Sequence, residues 1–264
     1  MKIWRLIVGT FLALILLLPS SLVATDDLVE IKKRGSIIIG VKNDFNPFGF
    51  ISRTGELIGF DIDLANYIAK NLGVKVKFKQ VTSQNRIDKL IQKDVDIIIA
   101  SMTHKVKRDE RIDFSISYFY DGQSILARRD CKAKSYKDFE GKVVGAVKGL
   151  YSGKVFEVIQ PMSKVVYYDS YKDVLNALKE KKVDAVTSDF SFLQTKAKKS
   201  AGKLKTIGKP FTIEPYGIGV RENQSNLRDE LNFIIQKAVK TGEYDKIYKK
   251  WFQTPPKKRP ILWP

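Results

Sequence analysis

The run "DIIIASMTHKVKRDE", Asp96 to Glu110, carries three isoleucines and Ala100 into a short polar loop holding Ser101 and Thr103, with Arg108 five residues beyond the threonine. Such an apolar run reads as a strand covered on both faces, as in a parallel sheet. Small molecules bind in the crevice beyond the carboxyl ends of those strands. The planar fork of Arg108 suits a carboxylate because it can donate two parallel hydrogen bonds, and Thr103 with nearby amides could complete the grip. Flanked by Lys107 and Arg111, the same arginine reads equally as a solvated helix residue. A second apolar run, "VDAVTSD", ends on Asp189, whose carboxylate could pair with an ammonium group. Together the two ends suit a zwitterion.

Catalytic chemistry is thinly supplied. The chain has one histidine, His104, and one cysteine, Cys131, so neither a triad nor a cysteine/histidine metal cluster can be assembled. The glycines of "GAVKGLYSG" match neither a phosphate loop nor a dinucleotide fingerprint. Asp61 and Asp63 lie beside a helix start, where acids are expected for dipole reasons alone. No metal and no cofactor is expected.

The elements that must place these residues alternate. "SIIIGVK" is an apolar strand, and "GELIGFDIDLANYIAKNLG" a turn and a helix with Ile62, Ala65, Ala69 and Leu72 on one stripe, ended by Gly73. "VKVKFKQV" is a half-exposed strand, "NRIDKLIQKDV" a short helix, and "DIIIAS" a strand. The pattern then restarts with "KVVGAV", the turn "KGLYSG", "KVFEVI", the strand "SKVVYYD", and the helix "SYKDVLNALKEKKV" burying Val174, Leu175 and Leu178. "KLIQKDVDIIIAS" and "NALKEKKVDAVTS" share one plan: helix, Val-Asp pair, apolar strand, polar mouth. Alternation of this kind predicts parallel sheets with covering helices, here as two α/β lobes sharing a cleft. The segment from Glu214 onward, with the stripe Leu227, Leu231, Ile234 and Ala238, must return to the first lobe; the tail "PPKKRPILWP" is expected to be loosely ordered.

The opening segment has Lys2 and Arg5 ahead of an apolar run, Leu6 to Leu18, and then Pro19, two serines and Ala24. That is the layout of a secretory leader, shorter than the roughly 20 residues that span a bilayer. Residues 1–24 are therefore expected to be cleaved and the remainder exported, to a periplasmic or other extracytoplasmic location. The formal charge is +18. The lysines are spread along the chain rather than concentrated in a stripe, which argues against nucleic acid as the partner and for general attraction to anionic surfaces.

The segments "GFDIDLANYIAKNL", "VDIIIASMT" with Arg108 following, "IDFSISYFYDG", "DFEGKVVGAVKG", "VDAVTSD", "EPYGIGV" and "GEYDKIYKKWF" resemble, in order, the family 3 solute-binding proteins that feed amino-acid ABC transporters. The resemblance runs from Gly35 to Phe252 and implies an α/β, two-lobed periplasmic-binding-protein type II fold. Two strands would cross between the lobes, with the ligand in the interlobe cleft. It implies lobes of residues 25–117 plus 215–264 and of residues 118–214. By the same resemblance Arg108 and Thr103 hold an α-carboxylate with Ser101 at the same rim, and Asp189 takes the α-ammonium. Phe45 supplies an aromatic wall, Tyr216 lies near the second crossover, and Lys148 and the following turn make second-lobe contacts. Tyr151 is bulky where small hydroxyl residues are common, and Ser188 precedes the aspartate where some relatives carry other side chains.

The resemblance also marks Lys42 and Arg86 as cleft-facing. Two more cations in one pocket would repel unless an anion joined them, so an acidic amino acid, glutamate or aspartate, is the expected ligand. Glutamine or another polar amino acid is the alternative. The implied partner is an ABC permease in the membrane, with the binding protein a monomer. From other classes, an exported dehydratase-like enzyme on the same fold and an extracellular sensor or adhesive protein stand as rivals.

Overall fold

The computed structural model describes residues 26–261, so the expected leader lies outside the described residues. Two five-stranded sheets form in the same pattern. The first runs in the order Lys75–Gln80, Ser36–Val41, Ile97–Ile98, Gly219–Val220, Asp113–Phe114. The second runs Lys164–Tyr168, Val143–Val147, Ala185–Asp189, Gln123–Arg128, Leu204–Ile207. The internal resemblance of the two halves of the sequence is thus a resemblance of sheets.

The sheets are mixed, and this corrects the expectation of wholly parallel ones. In each, three strands are parallel, with Ile39 opposite both Phe78 and Ile97 in the first and Gly145 opposite both Val166 and Val186 in the second. The remaining two strands pair antiparallel with their neighbours. They belong to chain segments that enter and leave through the connections between lobes rather than through helical crossovers, so nothing forces them parallel. Those connections are the strands Phe119–Asp121 and Glu214–Tyr216, paired antiparallel with Tyr216 opposite Phe119.

Sequence periodicity translates directly into packing. The helix Phe60–Leu72 buries Ile62, Ala65, Ala69 and Leu72, and Gly73, at φ 72°, donates its N–H to the carbonyls of Ala69 and Lys70. Gly59 precedes it at φ 146°, where an added Cβ would lie 1.9 Å from the Phe48 carbonyl oxygen. Only glycine fits, and it aims the helix start, with Asp61, into the molecule. The helix Ser225–Lys240 buries Leu227, Leu231, Ile234 and Ala238. In the second lobe Val174 and Leu178 are buried, whereas Leu175 is half-buried.

The run after Asp96 departs from a full strand. Only Ile97–Ile98 forms ladder pairs; Ile99 and Ala100 continue buried, and Ser101 turns at φ 49°. The described part of the tail makes specific contacts. Arg259 donates through Nε and a terminal nitrogen to both carboxylate oxygens of Asp245, and the Lys258 ammonium lies 3.9 Å from the ring centre of Tyr120. Aromatic rings fill the region between the crossovers and the closing helix, with Phe48 meeting Phe119, Tyr216 and Phe252 edge-on. Each ring so buried contributes about 1.5–3 kcal/mol relative to exposure.

Candidate functional site

The turn at Ser101 is built from beneath. Its N–H and its Oγ donate to Oδ2 of Asp61 at 3.0 and 3.1 Å, and the Tyr118 hydroxyl donates to Oδ1 at 3.1 Å. Burial pushes the Asp61 carboxyl up to about 6, against the pull of those hydrogen bonds and of Lys42. Thr103 forms an isolated antiparallel bridge with Tyr216 of the second crossover, while Gly217 donates to the Met102 carbonyl at 3.0 Å. Arg108 donates to the Thr103 carbonyl, which seats its guanidinium against the loop. Its pKa is lowered by burial, with Asp189 and Glu214 the main opposing charges.

Across the cleft, Asp189 ends its strand with 5 % exposure and accepts from Gln123 Nε2. Burial holds its carboxyl above the usual range, and Lys42 opposes that rise. The Tyr216 hydroxyl, fully buried, donates to Asp121 at 3.4 Å. Asp121 is pushed up to about 7 by burial and by the charge of Asp189.

Lys42 follows the strand Ser36–Val41 and is buried, its ammonium 4.1 Å from the ring centre of Phe45 and 5.8 Å from that of Tyr171. Its ammonium has no hydrogen-bond partner among the described residues. Burial, with Arg86 adding repulsion, pushes its pKa down to about 7. Arg86 is equally buried; it donates to the Ala100 carbonyl at 2.7 Å, and its Nε has no partner among the described residues. Burial and the nearby Arg108 lower it to about 9.

The lobes are in contact. Phe45 stacks on Phe192 of the second lobe at 4.6 Å and 12°, with Tyr171 at 5.1 Å. Gly149, at φ 76°, comes so close to the first lobe that an added Cβ would lie 2.7 Å from the backbone nitrogen of Gln84. At the rim the Lys105 ammonium covers the Tyr151 ring and pairs with Glu214 at 3.3 Å. Burial lowers Lys105 to about 8, with Glu214 opposing.

The structure therefore brings Lys42, Phe45, Arg86, Thr103, Arg108, Asp189 and Tyr216 to one region. Ser101 serves the same loop through Asp61, and Tyr151 stands at the rim, 42 % exposed. Lys148 stands apart: it is exposed, and its ammonium donates to Asp169 at 2.7 Å. Sequence reasoning assigned Asp61 to the helix dipole alone and passed over Tyr118, Tyr171, Phe192 and Lys105. One signal was there to use, because helical residues two apart point in opposing directions. Asp61 turns inward, while Asp63 turns out to accept from Trp251 Nε1 and Lys250, both at 2.7 Å. His104 is not simply solvated; it stacks on Phe114 at 4.5 Å and shares Nε2 with Asp109 at 2.8 Å.

No group of three or more histidine, cysteine or acidic residues among the described residues is placed to hold a metal ion. A surface hollow of about 610 Å³ lies elsewhere, among Arg128, Cys131, Lys134, Lys142 and Asp184. Lys142 and Asp184 precede their parallel strands, so that hollow is at the opposite end of the second sheet from Asp189.

Comparison with known proteins agrees with this architecture. The chain is 41 % identical over 236 residues to the ABC transporter glutamine-binding protein GlnH of Bacillus subtilis, covering 88 % of this chain and 86 % of that protein. It is 38 % identical over 207 residues to a glutamine-binding protein of Geobacillus stearothermophilus, covering 76 % and 79 %. An ancestral arginine-binding protein solved bound to glutamine superposes with a TM-score of 0.80 at 38 % identity, covering 84 % of this chain and 99 % of that one. The profile of the bacterial extracellular solute-binding proteins, family 3, matches residues 37–254. With a sheet in each lobe, two crossing strands and a charged cleft between them, the chain belongs to family 3 of the bacterial extracellular solute-binding proteins.

Proposed function

We propose that this protein binds glutamine in the interlobe cleft and presents it, outside the cytoplasm, to an ABC permease without transforming it. The observation that carries the reading is Arg108 at one face of the cleft with Asp189 at the other, a grip for α-carboxylate and α-ammonium, in a chain similar along most of its length to two glutamine-binding proteins. In this reading the lobes comprise residues 25–117 with 215–264, and residues 118–214. The dehydratase rival finds no support in these two relatives, both transport or binding proteins by name.

The two glutamine-binding relatives support the alternative, glutamine, better than the expected acidic ligand. That expectation rested on Lys42 and Arg86 requiring an anion from the ligand. In this reading the requirement is met from within: burial and Arg86 lower the Lys42 pKa to about 7 against the opposing charges of Asp189, Asp44 and Asp61, and Arg86 is engaged by the Ala100 carbonyl. A neutral carboxamide, both donor and acceptor, then fits better than a further carboxylate.

A thermal-shift series with glutamine, glutamate, aspartate and arginine tests the reading. Glutamine at a hundred times its dissociation constant should stabilise the protein by about 2.7 kcal/mol. Arg108→Ala should remove that shift while the unliganded protein stays folded. A larger shift with glutamate or arginine than with glutamine would refute the assignment.

A further inference from the structure

We propose that Asp61 is a specificity-determining residue: as a buried negative charge acting on Lys42 and lying across one peptide group from Arg86, it biases the cleft toward a neutral ligand side chain and against an acidic one. The inference deepens the reading of the cleft as an amino-acid site and rests on it.

One peptide group carries the argument. The carbonyl of Ala100 accepts from Arg86 at 2.7 Å, and the N–H that follows it, that of Ser101, donates to Asp61 at 3.0 Å. A buried cation and a buried anion thus hold opposite edges of a single peptide unit, which polarises it and couples the two charges. Three neutral donors satisfy Asp61: the Ser101 N–H, the Ser101 hydroxyl and the Tyr118 hydroxyl. Among the described residues no ion pair takes up its charge by contact, and that charge acts instead through the low-dielectric interior, where it reaches Lys42. Lys42 in turn has the Phe45 and Tyr171 rings near its ammonium, which has no hydrogen-bond partner among the described residues.

With the grip formed by Arg108 and Asp189 set aside, Lys42 retains the charges of Asp44 and Asp61, and Arg86 meets Asp61 across the peptide group. An amide-bearing ligand leaves this balance undisturbed. An acid-bearing ligand adds a charge that Asp61 repels. Neither carbonyl nor hydroxyl chemistry alone would need an acid here, since the Ser101 turn could be held by a neutral acceptor.

The test is the ratio of glutamate to glutamine affinity, measured calorimetrically in variants and expressed relative to the unaltered protein. Asp61→Asn keeps an acceptor for Ser101 and removes the charge; the ratio should rise about tenfold or more. Tyr118→Phe removes the hydroxyl that donates to Asp61 and accepts from the Ser101 N–H, but keeps the charge, and should leave the ratio unchanged. Equal weakening of both ligands by Asp61→Asn in a folded protein would show a structural post and overturn the proposal. Should Asp61→Asn fail to fold, as judged by circular dichroism, Lys42→Met decides: losing the cation should lower the ratio, and an unchanged ratio overturns the proposal. A parent protein that prefers glutamate would refute the glutamine reading while leaving these ratios to judge Asp61.

Discussion

At the scale of single residues, Lys42 is an ammonium surrounded by aromatic carbon, and its titration should be measurable as stability. Between its folded value of about 7 and its ordinary 10.5, the unfolded chain binds the proton and the folded chain does not. Its contribution is therefore complete above 10.5 and is lost as the pH falls through about 7. Asp61 has the opposite sign: with a folded value of about 6 against 3.8, its contribution is complete below 3.8 and is lost as the pH rises through about 6. Denaturant midpoints of the ligand-free protein and of Lys42→Met, compared from pH 6.5 to 9.5, should diverge in slope. The parent should gain stability relative to the variant toward high pH, and parallel curves would contradict the burial of Lys42. The identities of these residues were legible in the sequence, but their charge states were not. Nothing in "GVKNDF" tells a buried lysine from a solvated one, since burial depends on Tyr171 and Phe192, which arrive from the other lobe.

Single elements were easier to read, because a helix or strand records its environment in its own period. The stripes on Phe60–Leu72 and Ser225–Lys240 fell where the spacing placed them. The strand after Asp96 read too long, because burial continues through Ala100 although ladder pairing stops at Ile98. Contacts between elements of different lobes left no periodic trace, and the turn at Gly149 is the plainest example. Its φ of 76° and its approach to Gln84 leave no room for a side chain. Gly149→Val should therefore leave each lobe folded, obstruct their contact, and weaken ligand binding on the order of tenfold or more. Small-angle scattering should show the variant failing to contract at a ligand concentration that contracts the parent, and equal contraction would place the closure contact elsewhere.

On the scale of the whole molecule, the repeated plan of the two halves was visible in "KLIQKDVDIIIAS" and "NALKEKKVDAVTS". The antiparallel strands that complete each sheet were not, because their partners lie far away in sequence. Strand order also sets an order in time. Gly219–Val220 sits between Ile97–Ile98 and Asp113–Phe114, so the middle of the first sheet is closed by a strand made after all of the second sheet. A chain emerging from its amino end therefore holds an open gap in its first lobe while its second lobe, continuous in sequence, can already fold. A chain truncated after Thr212 should, under limited proteolysis, yield a resistant core of residues 118–212 and rapid cleavage within residues 26–117. Vulnerability to proteases and to aggregation during synthesis then concentrates in the half of the protein that is made first.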